Sequence, residues 1–358
     1  MRYNFDMAWS TPEHDRAKVN KAGNCLIAEA DAAMEHDDVL NIINNWRSSH
    51  SFPLRSFKMT LLTRAKHADS KAIVVQRLKR LQSIEAKLRR FPEMKLTQIQ
   101  DIGGCRAVVT NMRRIERLSS QYERSRSKNP TARHEFVKEK DYIHDPKDDG
   151  YRSLHLIYRY RSTSKKHKLF NGLKIEIQLR TRLQHAWATA VETVAVFTKQ
   201  ALKSGGGEEK WRRFFILMSA SIALREKQPP VPGVPANEQT LVKELRKAAI
   251  ALNVRTLLGG WSYALTLLPP ENTKNAAAIL IFLDVEALKV STNGYTLDQL
   301  PKANEDYLAY EKQSKTIPGS QAVLVAANSV RTLRAAYPNF YADAGEFLNA
   351  LEFAIRQT

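Results

Sequence analysis

Cysteine is almost absent from this chain: Cys25 and Cys105 are the only two among 358 residues. That number excludes a disulfide framework and a cysteine-rich zinc site. No apolar run approaches the roughly 20 residues needed to cross a bilayer, and residues 1–20 lack the apolar core of a signal peptide. A soluble, cytoplasmic protein with no membrane partner is therefore expected. No histidine or cysteine follows His185, so metal catalysis is not expected from the second half. Acids are also scarce, at 37 against 56 Lys plus Arg, for a formal net charge of +19. Such an excess favours a polyanionic partner through steering and counterion release.

Against these absences stand three polar stretches. Lys140-Asp141-Tyr142-Ile143 leads into Gly150-Tyr151-Arg152-Ser153-Leu154-His155, and Lys174-Ile175-Glu176-Ile177-Gln178-Leu179 follows. Gly150 permits a tight turn, and Tyr151 behind it offers a flat face to a base. Glu176 lies in an apolar-alternating strand, where a carboxylate is unexpected unless it faces a cleft or a metal. Residues 99–109 read as a further strand, with Asp101 at its start and Arg106 in its middle. Two acids from different strands suit Mg²⁺ held against a triphosphate. Upstream, Leu78, Leu81, Ile84 and Leu88 recur at helical spacing. Arg77, Lys79, Ser83 and Lys87 would then line a cationic ridge for phosphates. The simpler alternative is the solvated face of an amphipathic helix.

These motifs, in this order, resemble the synthetase domain of the RelA/SpoT family, from about Arg77 to Trp187. The resemblance implies pyrophosphate transfer from ATP to a ribose 3′-hydroxyl with Mg²⁺ as cofactor. It places ATP on Arg77, Lys79, Ser83, Lys87 and Arg106, and the metal on Asp101 and Glu176. Glu176 would also activate the acceptor hydroxyl. Tyr151 would stack on the acceptor base, with Arg152, His155, Lys138, Lys140 and Gln178 around the acceptor. The implied fold is an α/β synthetase domain, a mixed sheet flanked by helices of nucleotidyltransferase type. His36-Asp37 is superficially like the metal motif of the family's hydrolase, but one such pair builds no hydrolase site.

The expected organisation is a synthetase domain over 1–228 with a helical N-terminal extension, a Pro-rich linker at 229–236, and a small α+β regulatory domain over 237–358. Gly205-Gly206-Gly207 is expected to separate two helices, and Pro229 to Pro235 to act as a stiff spacer. Beyond it, 238–258 reads as one helix, 276–285 as a buried strand, and Asn293-Gly294 as a hairpin turn. Tyr307 and Tyr310, at i and i+3, share one helical face; packing on the neighbouring sheet is the plainer account of them. The layout resembles the fused toxin–antitoxin synthetases of phage defence, the CapRel type. That resemblance implies autoinhibition by the C-terminal domain, with Tyr307 and Tyr310 blocking the adenine site. It also implies release by a phage capsid protein and pyrophosphorylation of the tRNA 3′-CCA end, which stops translation. The cations from Arg113 to Lys168, among them Arg124, Arg126, Lys128 and Arg133, fit an RNA acceptor. The rival expectation is an alarmone synthetase acting on free nucleotides; a third is a non-catalytic RNA-binding protein.

Overall fold

Strands with one apolar and one charged face dictate how the first half of the chain folds. In the computed structural model, which describes residues 9–28, 34–128, 134–198, 207–267, 275–284, 289–317, 320–327, 330 and 340–356, five strands form one sheet. They are β1 (Ile73–Leu78), β2 (Gly103–Val109), β3 (Glu135–Asp141), β4 (Leu154–Arg159) and β5 (Lys174–Thr181), in the order β1-β2-β5-β4-β3. Only β2 and β5 run parallel; the remaining pairs are antiparallel, so the sheet is mixed. Cys105, Ala107, Ile175, Ile177, Leu179, Leu154 and Leu156 are buried and alternate along their strands with the polar set. Helices α3 (Ser51–Ala68) and α5 (Met112–Lys128) pack on this sheet, against β1 and β2 and against β5 respectively. Ahead of them, α1 (Arg16–Ile27) packs on α2 (His36–Ser48) and on α4 (Leu81–Arg90).

The expected helix through Arg77 is corrected by this sheet. Val74 and Val75 favour an extended chain, and Arg77 pairs with Gly104 inside β1. The Lys79 N–H then donates to the Ile102 carbonyl at 2.7 Å, prolonging the ladder. Helix α4 starts only at Leu81, where Ile84 and Leu88 become its buried stripe. The strand expected from residue 99 also starts late, at Gly103, which leaves Asp101 in the loop ahead of it.

The chain divides into two compact units, residues 1–141 with 153–181, and residues 142–152 with 182–358. This differs from the expected boundary at the prolines, and the reason is aromatic packing. Helices α6 (Arg182–Thr198) and α7 (Gly207–Arg225) belong to the core of the second unit. There Phe197 stacks on Trp261 at 5.1 Å and Trp211 on Phe215 at 5.8 Å, with Phe214 and Phe347 beside them. The proline segment is strapped down instead of free: Val231 is buried, and Arg213 donates to the Gly233 carbonyl.

Two more expectations change within this unit. The single helix over 238–258 is two, α8 (Glu238–Ala251) and α9 (Val254–Leu267), parted at Asn253. Its φ of 48° is a left-handed conformation that asparagine tolerates. Asn293-Gly294 forms no hairpin. Both residues lie inside β7 (Lys289–Tyr295), paired with Leu280 and Ile279 of β6 (Ala278–Asp284). Neither has the positive φ that a two-residue type I′ turn requires. With β8 (Gln321–Ala326) these strands form an antiparallel sheet of order β7-β6-β8. Helix α10 (Leu300–Thr316) packs on β6 and β8, and α11 (Phe340–Arg356) on α6 and α9. Arg133, Gly205, Gly206 and Val285 lie outside the described residues. No helix among the described residues is long and apolar enough to cross a membrane.

Candidate active site

Strand register gathers the polar side chains on one face of the five-stranded sheet. Arg106 of β2 lies opposite Gln178 of β5, and Gln178 lies opposite His155 of β4. Glu176, two residues before Gln178, shares its face. Lys140 of β3 pairs with His155 and Lys138 with Ile157, so both lysines belong to this face as well. Arg77 joins it from β1, opposite Gly104.

The central four side chains form a continuous hydrogen-bonded row. Arg106 Nε donates to Gln178 Oε1 at 3.2 Å, and Gln178 Nε2 donates to Glu176 Oε2 at 2.7 Å. His155 Nδ1 lies 3.0 Å from Glu176 Oε1. An ionised carboxylate only accepts, so Nδ1 carries the hydrogen. Both ends of the Gln178 amide are used, which fixes its orientation. Arg106, His155 and Glu176 are each no more than 7% exposed, so this is a desolvated polar network in which pairing matters greatly. Burial pushes the Glu176 carboxyl up, and the charge of Asp101 adds to that. The hydrogen bond and charge of His155, helped by Gln178, outweigh both and hold it below the ordinary glutamate value.

Asp101 sits between two ammonium groups. Lys79 Nζ is 2.7 Å from Oδ2 and Lys87 Nζ is 2.9 Å from Oδ1. Burial works to raise its pKa, but the two lysines prevail and lower it from 3.8 to about 2. Lys87 reaches it from the last turn of α4 and Lys79 from the end of β1. The sequence motif thus brings Lys79, Lys87 and Asp101 together, while Ser83 and Arg77 remain exposed.

Among the described residues no three or more His, Cys, Asp or Glu side chains gather around a metal position. Asp101 and Glu176 nevertheless fit Mg²⁺. They are two ionised carboxylates close enough for one charge to oppose the other, and Mg²⁺ usually takes one or two carboxylates and completes its shell with phosphates and water.

The loop before β4 belongs to the second unit. Gly150 adopts φ 86°, where a Cβ would lie 2.9 Å from Ser219 Cβ, so only glycine fits the turn. Asp149 Oδ1 accepts the Tyr151 N–H at 2.9 Å, an Asx-type turn that gives this acid a structural role in the loop. Tyr151 is half-buried, edge-on to Tyr142 with centroids 5.9 Å apart. Lys147 Nζ stands 4.5 Å from the Tyr142 ring centre and 4.8 Å from that of Tyr151. Sequence reasoning missed this arrangement because loop residues five and four apart carry no periodic signal.

Arg152 is a correction. Expected on the acceptor, it is buried and its guanidinium is bonded to protein atoms. Its guanidinium donates to the Ile143 carbonyl at 2.8 Å, the Pro229 carbonyl at 2.6 Å and Ser219 Oγ at 3.2 Å. Burial lowers its pKa to about 10, against the pull of Glu226. Arg152 therefore clamps the loop and the proline segment within the second unit. Tyr307 and Tyr310 likewise pack inside that unit, on Leu280, Tyr295 and Ala303, and Tyr310 stacks on Phe282 at 4.7 Å.

The polar sheet face lies within a segment that is similar to known proteins. Residues 76–200 match the family model described as the region found in RelA / SpoT proteins. An uncharacterized protein of Mycobacterium tuberculosis is 33% identical over 35% of this chain and 40% of its own length. The GTP pyrophosphokinase YjbM of Bacillus subtilis is 33% identical over 32% of this chain and 52% of its own. The chain thus spans about half or less of these relatives. The small alarmone synthetase 1 of Bacillus subtilis has a similar structure, with a TM-score of 0.42 and 22% identity over 53% of this chain and 93% of that one. Asp101, Arg106, His155, Glu176 and Gln178 all fall inside the matched segment, residues 76–200.

Proposed function

We propose that this chain is an ATP-dependent pyrophosphokinase acting on a nucleoside 3′-hydroxyl. The observation that carries the reading is the buried row Arg106–Gln178–Glu176–His155, with Asp101 held ionised by Lys79 and Lys87. In the reaction the 3′-oxygen forms a bond to the β-phosphorus of ATP, and the bond from that phosphorus to the bridging oxygen breaks. AMP leaves with that oxygen, and the hydroxyl proton passes to the Glu176 carboxylate. Oriented by His155 and Gln178, Glu176 keeps lone pairs for that proton. Lys79, Lys87, Arg77 and Arg106 neutralise phosphate charge, and fixed positioning supplies much of the remaining acceleration, as in other phosphoryl transfers. Mg²⁺ on Asp101 and Glu176 would supply further neutralisation of the triphosphate.

For the acceptor we propose the 3′ end of tRNA, with the base on Tyr151 and translation blocked as a result. The formal charge of +19 supports an RNA, as do Lys138, exposed on β3, and Lys140 beside it. The second reading, a free guanosine nucleotide, is favoured by the naming of two relatives as GTP pyrophosphokinases. The test offers the full chain ATP labelled in its β- and γ-phosphates, with deacylated tRNA and GTP present together. Label is expected in tRNA, and is expected to vanish when the terminal adenosine is removed. Label confined to GTP would sink the tRNA acceptor, and no transfer to either by both the wild-type chain and the Tyr307→Ala/Tyr310→Ala chain would sink the activity. Truncation after Gln228 is unsuitable here, because it would strip α6 and α7 of the core they share.

We extend the proposal to restraint of the transferase by the small α+β part of the second unit and its release by a phage capsid protein. The succession of a synthetase region and a small α+β module supports this. Tyr307 and Tyr310 could block an adenine site only after leaving Leu280, Tyr295 and Phe282. Expression of the Tyr307→Ala/Tyr310→Ala chain is expected to arrest host growth. Harmless expression, with the folded protein recovered, would remove the two tyrosines from the inhibitory contact.

A further inference from the structure

We infer that Lys147 is a built-in placeholder for the acceptor base: its ammonium fills the tyrosine slot, and binding begins by displacing it. This rests on the reading of Tyr151 as the residue that stacks on the base. Three residues of one loop make the slot. Tyr142 and Tyr151 stand at 72° to each other, 5.9 Å apart, and so present two walls rather than one. The Lys147 ammonium lies within cation–π range of both, at 4.5 and 4.8 Å.

The loop backbone holds that arrangement. The Gly150 N–H donates to the Lys147 carbonyl at 2.8 Å, closing the turn that brings the lysine back over the ring that follows. Ser219 Oγ donates to the Gly150 carbonyl at 2.6 Å, and Asp149 fixes the Tyr151 N–H. Arg152 anchors the end of the loop by three bonds. The frame is therefore rigid while the Lys147 side chain is exposed and swings out without giving up buried contacts.

A cation and a base compete for the same negative ring face. The base wins, because it covers far more of the ring than one ammonium does. Its apparent affinity is nevertheless reduced by the lysine it must expel, in the manner of any ligand whose competent state is only partly populated. Two consequences follow. Weak ligands that lack a good stacking surface are rejected, and the displaced charge becomes available to an anionic group arriving with the base.

The test is calorimetric titration of bare guanosine and bare adenosine into the full chain, since nucleosides carry no phosphate to attract Lys147. Lys147→Met is expected to bind the nucleoside about fivefold more tightly than wild type, the size of one exposed cation–π contact. Lys147→Arg keeps a cation over the rings and is expected to bind as wild type does. Equal or weaker binding by Lys147→Met would overturn the placeholder. Tyr151→Ala separates the two layers of the argument. If it binds nucleoside as well as wild type, the base-stacking reading has failed and the placeholder falls with it. If it binds more weakly while Lys147→Met is unchanged, only the placeholder has failed.

Discussion

Replacing Glu176 by glutamine is expected to slow pyrophosphate transfer by about 10²–10⁴-fold, the usual contribution of a positioned acid–base group. The substitution keeps size and shape but removes the charge. It also removes one of two acceptors. His155 Nδ1 and Gln178 Nε2 both donate to the carboxylate, and an amide offers a single oxygen to the pair. One donor is then left against an NH₂ group in a buried site. With the amide oxygen toward His155, Gln178 turns, and turning withdraws Oε1 from Arg106. The loss is thus felt at the carboxylate position and along the row to Arg106. Single-turnover transfer of label from ATP measures it, with denaturant unfolding as the control for folding. Retention of more than a tenth of the wild-type rate would mean that Glu176 is not the proton acceptor. The pH profile carries a second readout. Since the folded environment holds this carboxyl below its ordinary 4.5, it stays ionised as pH falls to that value. The acid limb it controls lies lower still, so no loss of rate from this group is expected between pH 7 and 5.

How much of this site was legible beforehand depends on what each residue's neighbours are. Glu176 and His155 were readable because a charged residue interrupting an apolar alternation has few uses, and the strand period puts it on one face. Lys79, Lys87 and Asp101 were readable as a group, although the element under them was not. Leu78, Leu81, Ile84 and Leu88 are spaced for a helix, yet Leu78 belongs to a strand. Apolar spacing of three cannot distinguish one helix from a strand followed by a helix. Asn293-Gly294 failed in the same way: the dipeptide permits a turn, but β6 offers it a full ladder of partners instead. Proline ends regular structure and so marks a boundary in the sequence, whereas compactness follows the aromatic residues of α6 and α7. What a sequence displays least well is the fate of a long polar side chain. Nothing local separates Lys138, which is exposed, from Arg152, which is buried.

That difference sets the second large effect. Arg152→Ala is expected to destabilise the second unit by about 3 kcal/mol, the scale of losing a buried charged donor with its three hydrogen bonds. The Ile143 and Pro229 carbonyls each lose their bond to the guanidinium, and Ser219 Oγ loses a donor. Residues 143 and 229 are then no longer tied through one side chain, so the loop carrying Tyr151 and the proline segment loosen together. The guanidinium keeps its positive charge at this depth although burial lowers its pKa to about 10, and the three bonds offset that desolvation. Tryptophan fluorescence during denaturant unfolding reports the change, because Trp187, Trp211 and Trp261 all lie in this core. Lys138→Ala, on the exposed side of β3, is expected to stay within about 0.5 kcal/mol of wild type, as surface changes do. If Arg152→Ala instead leaves unfolding unchanged and raises only the acceptor KM, the arginine is an acceptor ligand and the clamp is wrong. A clamp predicts the opposite division: the folded fraction falls, and the molecules that remain folded bind the acceptor through Tyr151 on a looser frame.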